Sequence, residues 1–209
     1  MSFSSSAIIK DVKAMCDAGQ ASMAYFYFDF RDINKQHWRD LVLSLLIQLS
    51  SRSGPRCDIL SGLYPDHDNG AQQPDDDTLT QCLKRMLTLP DQCPTYLIID
   101  AFDECSNVSG IPTSRKRILQ LVKELVDRHV PNLHICVTSR PEVDIRDVLE
   151  PLTLTSRRVS LHDQIGQKKD IEDYVRFVVY SNSEPIMRRW RKEDKELIIE
   201  TLSERADGM

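Results

Sequence analysis

Thr95–Cys105 reads TYLIIDAFDEC, and this stretch decides the fold. Its apolar run, Tyr96, Leu97, Ile98 and Ile99, is too short for a helix and right for a strand buried on both faces, as in a parallel sheet. The run ends in Asp100, and Asp103 and Glu104 follow. Carboxylates gathered at the carboxyl end of a buried strand are costly unless something positive sits there. In an open α/β sheet that end is where ligands bind. The chemistry that suits the arrangement is a hydrated Mg²⁺ on a nucleoside triphosphate, a hard cation that takes one or two carboxylates plus phosphates. The plainer alternative is a strand that runs into an acidic turn.

Working outward, Leu133–Arg140 (LHICVTSR) is a second short apolar run, ending in Thr138, Ser139, Arg140 and Pro141. An arginine at such a strand end suits a phosphate, because its planar fork binds oxygens in pairs and stays charged. Between the two runs, Thr113 or Ser114 caps a predicted helix with Ile118, Leu119, Val122, Leu125 and Val126 inward, after an Asn107–Pro112 loop. Pro131–Asn132 ends it, and Pro141 opens a short helix to about Leu149. Upstream, residues 3–17 read as a helix stopped by Gly19, and Met23–Phe30 as an aromatic strand. A helix follows on Trp38, Leu41, Val42, Leu45, Leu46 and Leu49; Leu43 and Ile47 lie off that stripe, which predicts burial on more than one face. Arg52–Thr78 reads as loop, with Gly54–Pro55, Tyr64–Pro65 and Asn69–Gly70 as punctuation. Asp75–Asp77 is read as the cap of the next helix rather than a metal site; Leu79, Leu83, Met86 and Leu87 make that helix and Pro90 closes it. Downstream, Arg158–Leu161 is a predicted short strand, and two helices follow around Ile171–Val178 and Lys192–Arg205. Strands alternating with helices give a mostly parallel sheet.

The 209 residues suffice for one sizeable domain and part of a second. With 41% hydrophobic and 28% charged residues, the composition is that of a globular protein. A net charge of −5 supplies no basic field for nucleic acid or an acidic membrane. The six cysteines show no CxxC or zinc spacing, which points to buried thiols in a reducing compartment, and no run is long enough for a membrane span. The histidines form no HExxH set, and no GxSxG is present. Met187–Lys192 (MRRWRK) interleaves basic and aromatic residues as nucleic-acid sites can, which leaves nucleic-acid binding as the weakest alternative, but in an acidic chain it reads, like Ser114–Arg117 (SRKR), as a solvated helix turn.

The order of these features resembles a NACHT domain, of the nephrocystin-like group found in fungal NLR-like, repeat-containing proteins. The residues that carry the resemblance are FYFDFRD, LVLSLLIQL, LIIDAFDEC (a Walker B pattern), ICVTSRP, DIEDYV near 170 and the closing SERADGM. It implies a truncated α/β fold, a P-loop NTPase-like three-layer sandwich that lacks its first strand and phosphate loop. Residues 1–163 would be a partial NTPase core and 164–209 the start of the next helical region. By position, Asp100 would hold Mg²⁺, Asp103 and Glu104 would orient or activate the attacking water, and Arg140 would sense the terminal phosphate of ATP or GTP. Ser2 would fall on the Mg²⁺-binding Ser/Thr, with the phosphate loop upstream of Met1. No GxxxxGK[ST] occurs in the chain, so hydrolysis by these residues is expected at background. The resemblance thus implies a cytoplasmic interaction or regulatory module of a STAND-class signalling NTPase, with protein partners or self-association. An active switch is the alternative if an upstream GxxxxGK exists. In the sheet, Tyr96–Ile99 would lie between Met23–Phe30 and Leu133–Val137, with Arg158–Leu161 left without its neighbour and a groove beside Leu133–Val137.

Overall fold

A computed structural model describes residues 3–51, 54–90, 93–107, 113–160, 165–181 and 190–205. The chain forms α1 (Phe3–Asp17), β1 (Ser22–Tyr27), α2 (Trp38–Ser50), α3 (Gly54–Ser61), α4 (Leu63–Asp66), α5 (Asp76–Leu87), β2 (Thr95–Asp100), α6 (Ser114–Asp127), β3 (Leu133–Val137), α7 (Val143–Leu149), α8 (Ile165–Tyr180) and α9 (Lys192–Arg205). Single 3-10 turns lie between several of these. The chain divides into two compact units, Met1–Leu152 and Thr153–Met209.

In the first unit the three strands pair in parallel in the order β1–β2–β3. Alternation sends Ala24 and Phe26 of β1, and Leu97 and Ile99 of β2, to one face, where they join Leu41, Leu45, Leu83, Met86, Ile118 and Val122 in the main core. On the other face Met23 and Tyr96 pack with Val12, Met15 and Cys16 of α1. The fold is therefore mixed α/β, with helices on both faces of a small parallel sheet. All six cysteines are unbridged thiols. No helix among the described residues is long and apolar enough to cross a membrane.

Several local expectations change. β1 stops at Tyr27 instead of Phe30, because the Asp29 carboxylate takes the Arg31 amide at 2.9 Å and turns the chain. The Arg31 guanidinium holds that carboxyl well below its usual range, at about 2. On α2 the predicted stripe is buried, but Leu43 is exposed and Ile47 is 61% exposed, so the helix is not buried all round. The stretch read as loop between 52 and 78 contains α3 and α4. Pro55 sits in the first turn of α3, where a missing amide hydrogen costs nothing, so Gly–Pro starts a helix here.

Arg56 on α3 is 1% exposed. Its Nε donates to Met86 O in the last turn of α5 at 3.3 Å, and Nη2 donates to Thr95 Oγ1 at 2.8 Å. A cation at that end of a helix meets the negative pole of the helix dipole. Burial still pulls its pKa down from the ordinary arginine value.

The acid run does cap α5: Asp75 accepts the Thr78 amide at 2.7 Å. Asp76 ties Arg39 of α2 to Arg117 of α6, and the Arg117 guanidinium lies 4.2 Å from the Trp38 ring centre. The outer edge of β1 is closed by a side chain: Gln48 of α2 accepts from Tyr25 N at 3.1 Å and donates to Tyr25 O at 2.7 Å. α7 begins at Val143, two residues after Pro141.

In the second unit, residues 158–160 form no strand, contrary to expectation, and Leu161 lies outside the described residues. The chain instead runs exposed from 153 to 160, with a single 3-10 turn at Thr155–Arg157. α8 and α9 pack together, with Val179 and Ile199 buried. Arg176 joins them, donating to Glu172 at 3.1 Å and to Glu196 at 3.0 Å, and Tyr180 O–H donates to Glu196 at 2.8 Å.

Candidate functional site: two strand ends

The site is built where β2 and β3 end side by side. After Asp100 the chain enters a left-handed conformation at Ala101 (φ 53°, ψ 47°) and makes one 3-10 turn, Phe102–Glu104. That reversal drives Phe102 into the core, edge-on to Phe28 at 5.8 Å between ring centres. Asp103 and Glu104 are left at the rim. Burying the aromatic that opens the turn fixes where the two acids after it stand.

Thr138, the first residue past β3, joins the two ends. Its amide donates to Ile99 O and its carbonyl accepts from Phe102 N, both at 2.9 Å. Its hydroxyl accepts from Ala101 N at 3.0 Å and donates to Asp100 Oδ1 at 2.6 Å. Asp100 is 2% exposed, so a buried carboxylate is held by a charge-assisted hydrogen bond. Burial, and after it the Asp100 charge, push the neighbouring Cys136 thiol up from its ordinary value.

The remaining acids have their own partners. Asp103 Oδ1 accepts the Arg140 amide at 3.0 Å, and Oδ2 lies 3.5 Å from Arg140 Nε. The Arg140 side chain is 82% exposed, whereas Asp103 is nearly covered. Glu104 Oε2 accepts from Phe30 N at 3.1 Å, pinning the loop after β1. The three carboxylates at the end of β2 therefore face three different donors. Among the described residues, no three His, Cys, Asp or Glu side chains are grouped as a metal cage.

Asp100, Asp103, Glu104 and Arg140 are thus brought to one end of the sheet, and Asp103 and Arg140 touch. Ser2 lies outside the described residues, as do residues 108–112 and Met187–Arg189. Thr138 was legible only as part of the TSRP run; its bonds to Asp100 and Ala101 were not. The larger omission is Arg115. Read in the sequence as part of a solvated turn, it is buried on α6. It donates to the carbonyls of Asp103 and Cys105 and to the carboxylates of Glu142 and Asp144. The only sequence signal was its place two residues after the Thr113 cap, on the first turn of a helix that packs on the core. Next to it, burial pushes the Cys105 thiol up to about 12, and its Sγ–H donates to Gln36 O at 3.4 Å.

A hard cation on a triphosphate needs one or two carboxylates and a cradle for its phosphates. Asp100 and Arg140 suit the metal and the terminal phosphate. The cradle is not supplied by the residues present, since no GxxxxGK[ST] lies in the sequence. The donor set fits the group in part only, and no reaction step is derived through it.

These features define an α/β domain with a parallel sheet and an acid-and-arginine rim at adjoining strand ends. A family model, nephrocystin 3, N-terminal, matches residues 2–140, and the chain belongs to that family. Searches of curated proteins and of solved structures return no match.

Proposed function

We propose that the chain is part of a NACHT-type signalling NTPase, acting in the cytoplasm as an interaction or regulatory module with incomplete nucleotide binding of its own. In this reading residues 1–163 are NTPase core and 164–209 begin the helical region that follows. Asp100 would hold Mg²⁺ directly or through water, Asp103 and Glu104 would orient or activate the attacking water, Arg140 would sense the terminal phosphate, and Ser2 would stand at the metal-binding hydroxyl. The observation that carries the reading is the pairing of Asp103 with Arg140 across adjoining strand ends, beside a buried Asp100 held by Thr138. Charges arranged so closely at a ligand-binding edge are what a phosphate site requires. The missing GxxxxGK[ST] supports the restriction to incomplete binding.

An active ATP- or GTP-hydrolysing switch, which would need a GxxxxGK segment upstream of these residues, is the second reading, favoured by the presence of both rim acids and the arginine. The test is phosphate release by the purified 209-residue chain with Mg²⁺ and ATP or GTP, run beside Asp100→Ala. The expected result is background release from both. Multiple turnovers that Asp100→Ala abolishes would establish the switch instead.

A further inference from the structure

The start of α6 carries a residue that the nucleotide reading does not use. Arg115 points one guanidinium at two loops. Nη2 donates to the carbonyls of Asp103 and Cys105, the latter at 3.2 Å, on the turn after β2. Nη1 donates to Glu142 and, at 3.5 Å, to Asp144, on the segment after β3. The Arg115 side chain is 6% exposed, while both carboxylates are open to solvent. Burial works against its charge, and the Glu142 and Asp144 carboxylates outweigh it, so its pKa lies above the ordinary arginine value.

The contacts close into a ring. Arg115 holds the Asp103 carbonyl, and the Asp103 carboxylate holds the Arg140 amide. The Arg140 carbonyl accepts the Glu142 amide at 2.8 Å, and the Glu142 carboxylate returns to Arg115. A guanidinium is rigid and planar, so its donors cannot follow one loop without straining their bonds to the other. We propose that Arg115 is a positioning residue that couples the two strand ends, so that displacement of the Arg140 segment is carried to the Asp103–Glu104 turn. An anion that drew the exposed Arg140 side chain off Asp103 would be reported at the acidic turn by this route. The proposal rests on the nucleotide reading for its purpose, but the coupling is measured without nucleotide.

The experiment is amide hydrogen exchange, read by mass spectrometry, on the 209-residue chain without ligand. A double variant, Glu142→Ala with Asp144→Ala, removes both carboxylates that accept from Arg115, and its far-ultraviolet circular dichroism is compared with the parent's to establish that it folds. Its expected effect is exchange about tenfold or more faster at residues 138–144 and also at 101–106, which neither substitution touches, as for loss of a hydrogen bond to a charged group. Leu97–Ile99 are expected to stay as protected as in the parent chain. Arg115→Lys keeps the charge but not the fork, and is expected to quicken exchange in both segments. A rise confined to 138–144 in the double variant, or parent-like exchange in Arg115→Lys, would overturn the coupling. Either result leaves the phosphate-release test untouched, so the two readings fail separately.

Discussion

Asp100 was legible in the sequence because an apolar run that ends in a carboxylate is visible one residue at a time. What keeps that carboxylate buried was not, because the donor lies 38 positions on, at Thr138. The same holds for Arg115, whose acceptors come from two loops that only the fold brings together. The sequence asked for something positive beside these three carboxylates; the structure gives each its own hydrogen-bond donor. Thr138→Val deletes the hydroxyl that both donates to Asp100 and accepts from Ala101, leaving a buried charge short of a donor. It should lower stability by about 1.5–3 kcal/mol in a denaturant melt. Asp100→Asn retains an oxygen that accepts the same bond and should cost less than about 1 kcal/mol. Equal losses from the two substitutions would mean that the Asp100 charge itself is needed by the fold.

At the scale of elements, strongly patterned segments were legible: α1, α2, α5, α6, β2 and β3 form where the pattern placed them, and β1 forms there but ends three residues early. The misreadings share one cause, the use of local punctuation without knowledge of what packs against it. Gly54–Pro55 looked like a break, yet Ile59, Leu60 and Leu63 beyond it pack on the core and Arg56 is anchored to α5 and β2. Ile47 looked like core, yet it and Leu43 are exposed on that side of α2. Two expectations test the elements' joins. Gln48 supplies to Tyr25 the donor and acceptor that a neighbouring strand would supply, and so blocks the β1 edge. Gln48→Leu should destabilise the chain by about 1–3 kcal/mol and make light scattering grow with concentration on mild heating. Scattering equal to the parent's would show that the edge is protected by something else. α5 and α6 are joined by Lys84 and Glu124, with Nζ–Oε2 at 2.5 Å. The bond from Lys84, and then one from Gln120, hold the Glu124 carboxyl below its ordinary value. A lowered carboxyl stabilises the fold fully above its unfolded value, and that contribution is lost as pH falls through the folded one. Glu124→Gln should therefore flatten the acid limb of the stability curve while leaving its neutral limb parallel to the parent's; an unchanged acid limb would show that the pair is idle.

At the scale of the whole molecule, the described residues that bury apolar surface against the sheet belong to the unit Met1–Leu152. Residues 153–160 are exposed throughout and carry Arg157 and Arg158. Exposed segments with few buried contacts are where proteases cut first, since a chain must open locally to enter a protease. Arg31 and Arg140 are also exposed, but their loops are tied down: the Asp29 carboxylate holds Arg31, and Asp103 holds the Arg140 amide. Brief digestion with trypsin should therefore cut first at Arg157 or Arg158. The N-terminal product should keep its far-ultraviolet circular dichroism and melt cooperatively within a few degrees of the parent chain. First cleavage at Arg140 would mean instead that the ring through Arg115 opens more readily than the exposed connection. That result would remove the rigidity that a positioned arginine at a phosphate site requires.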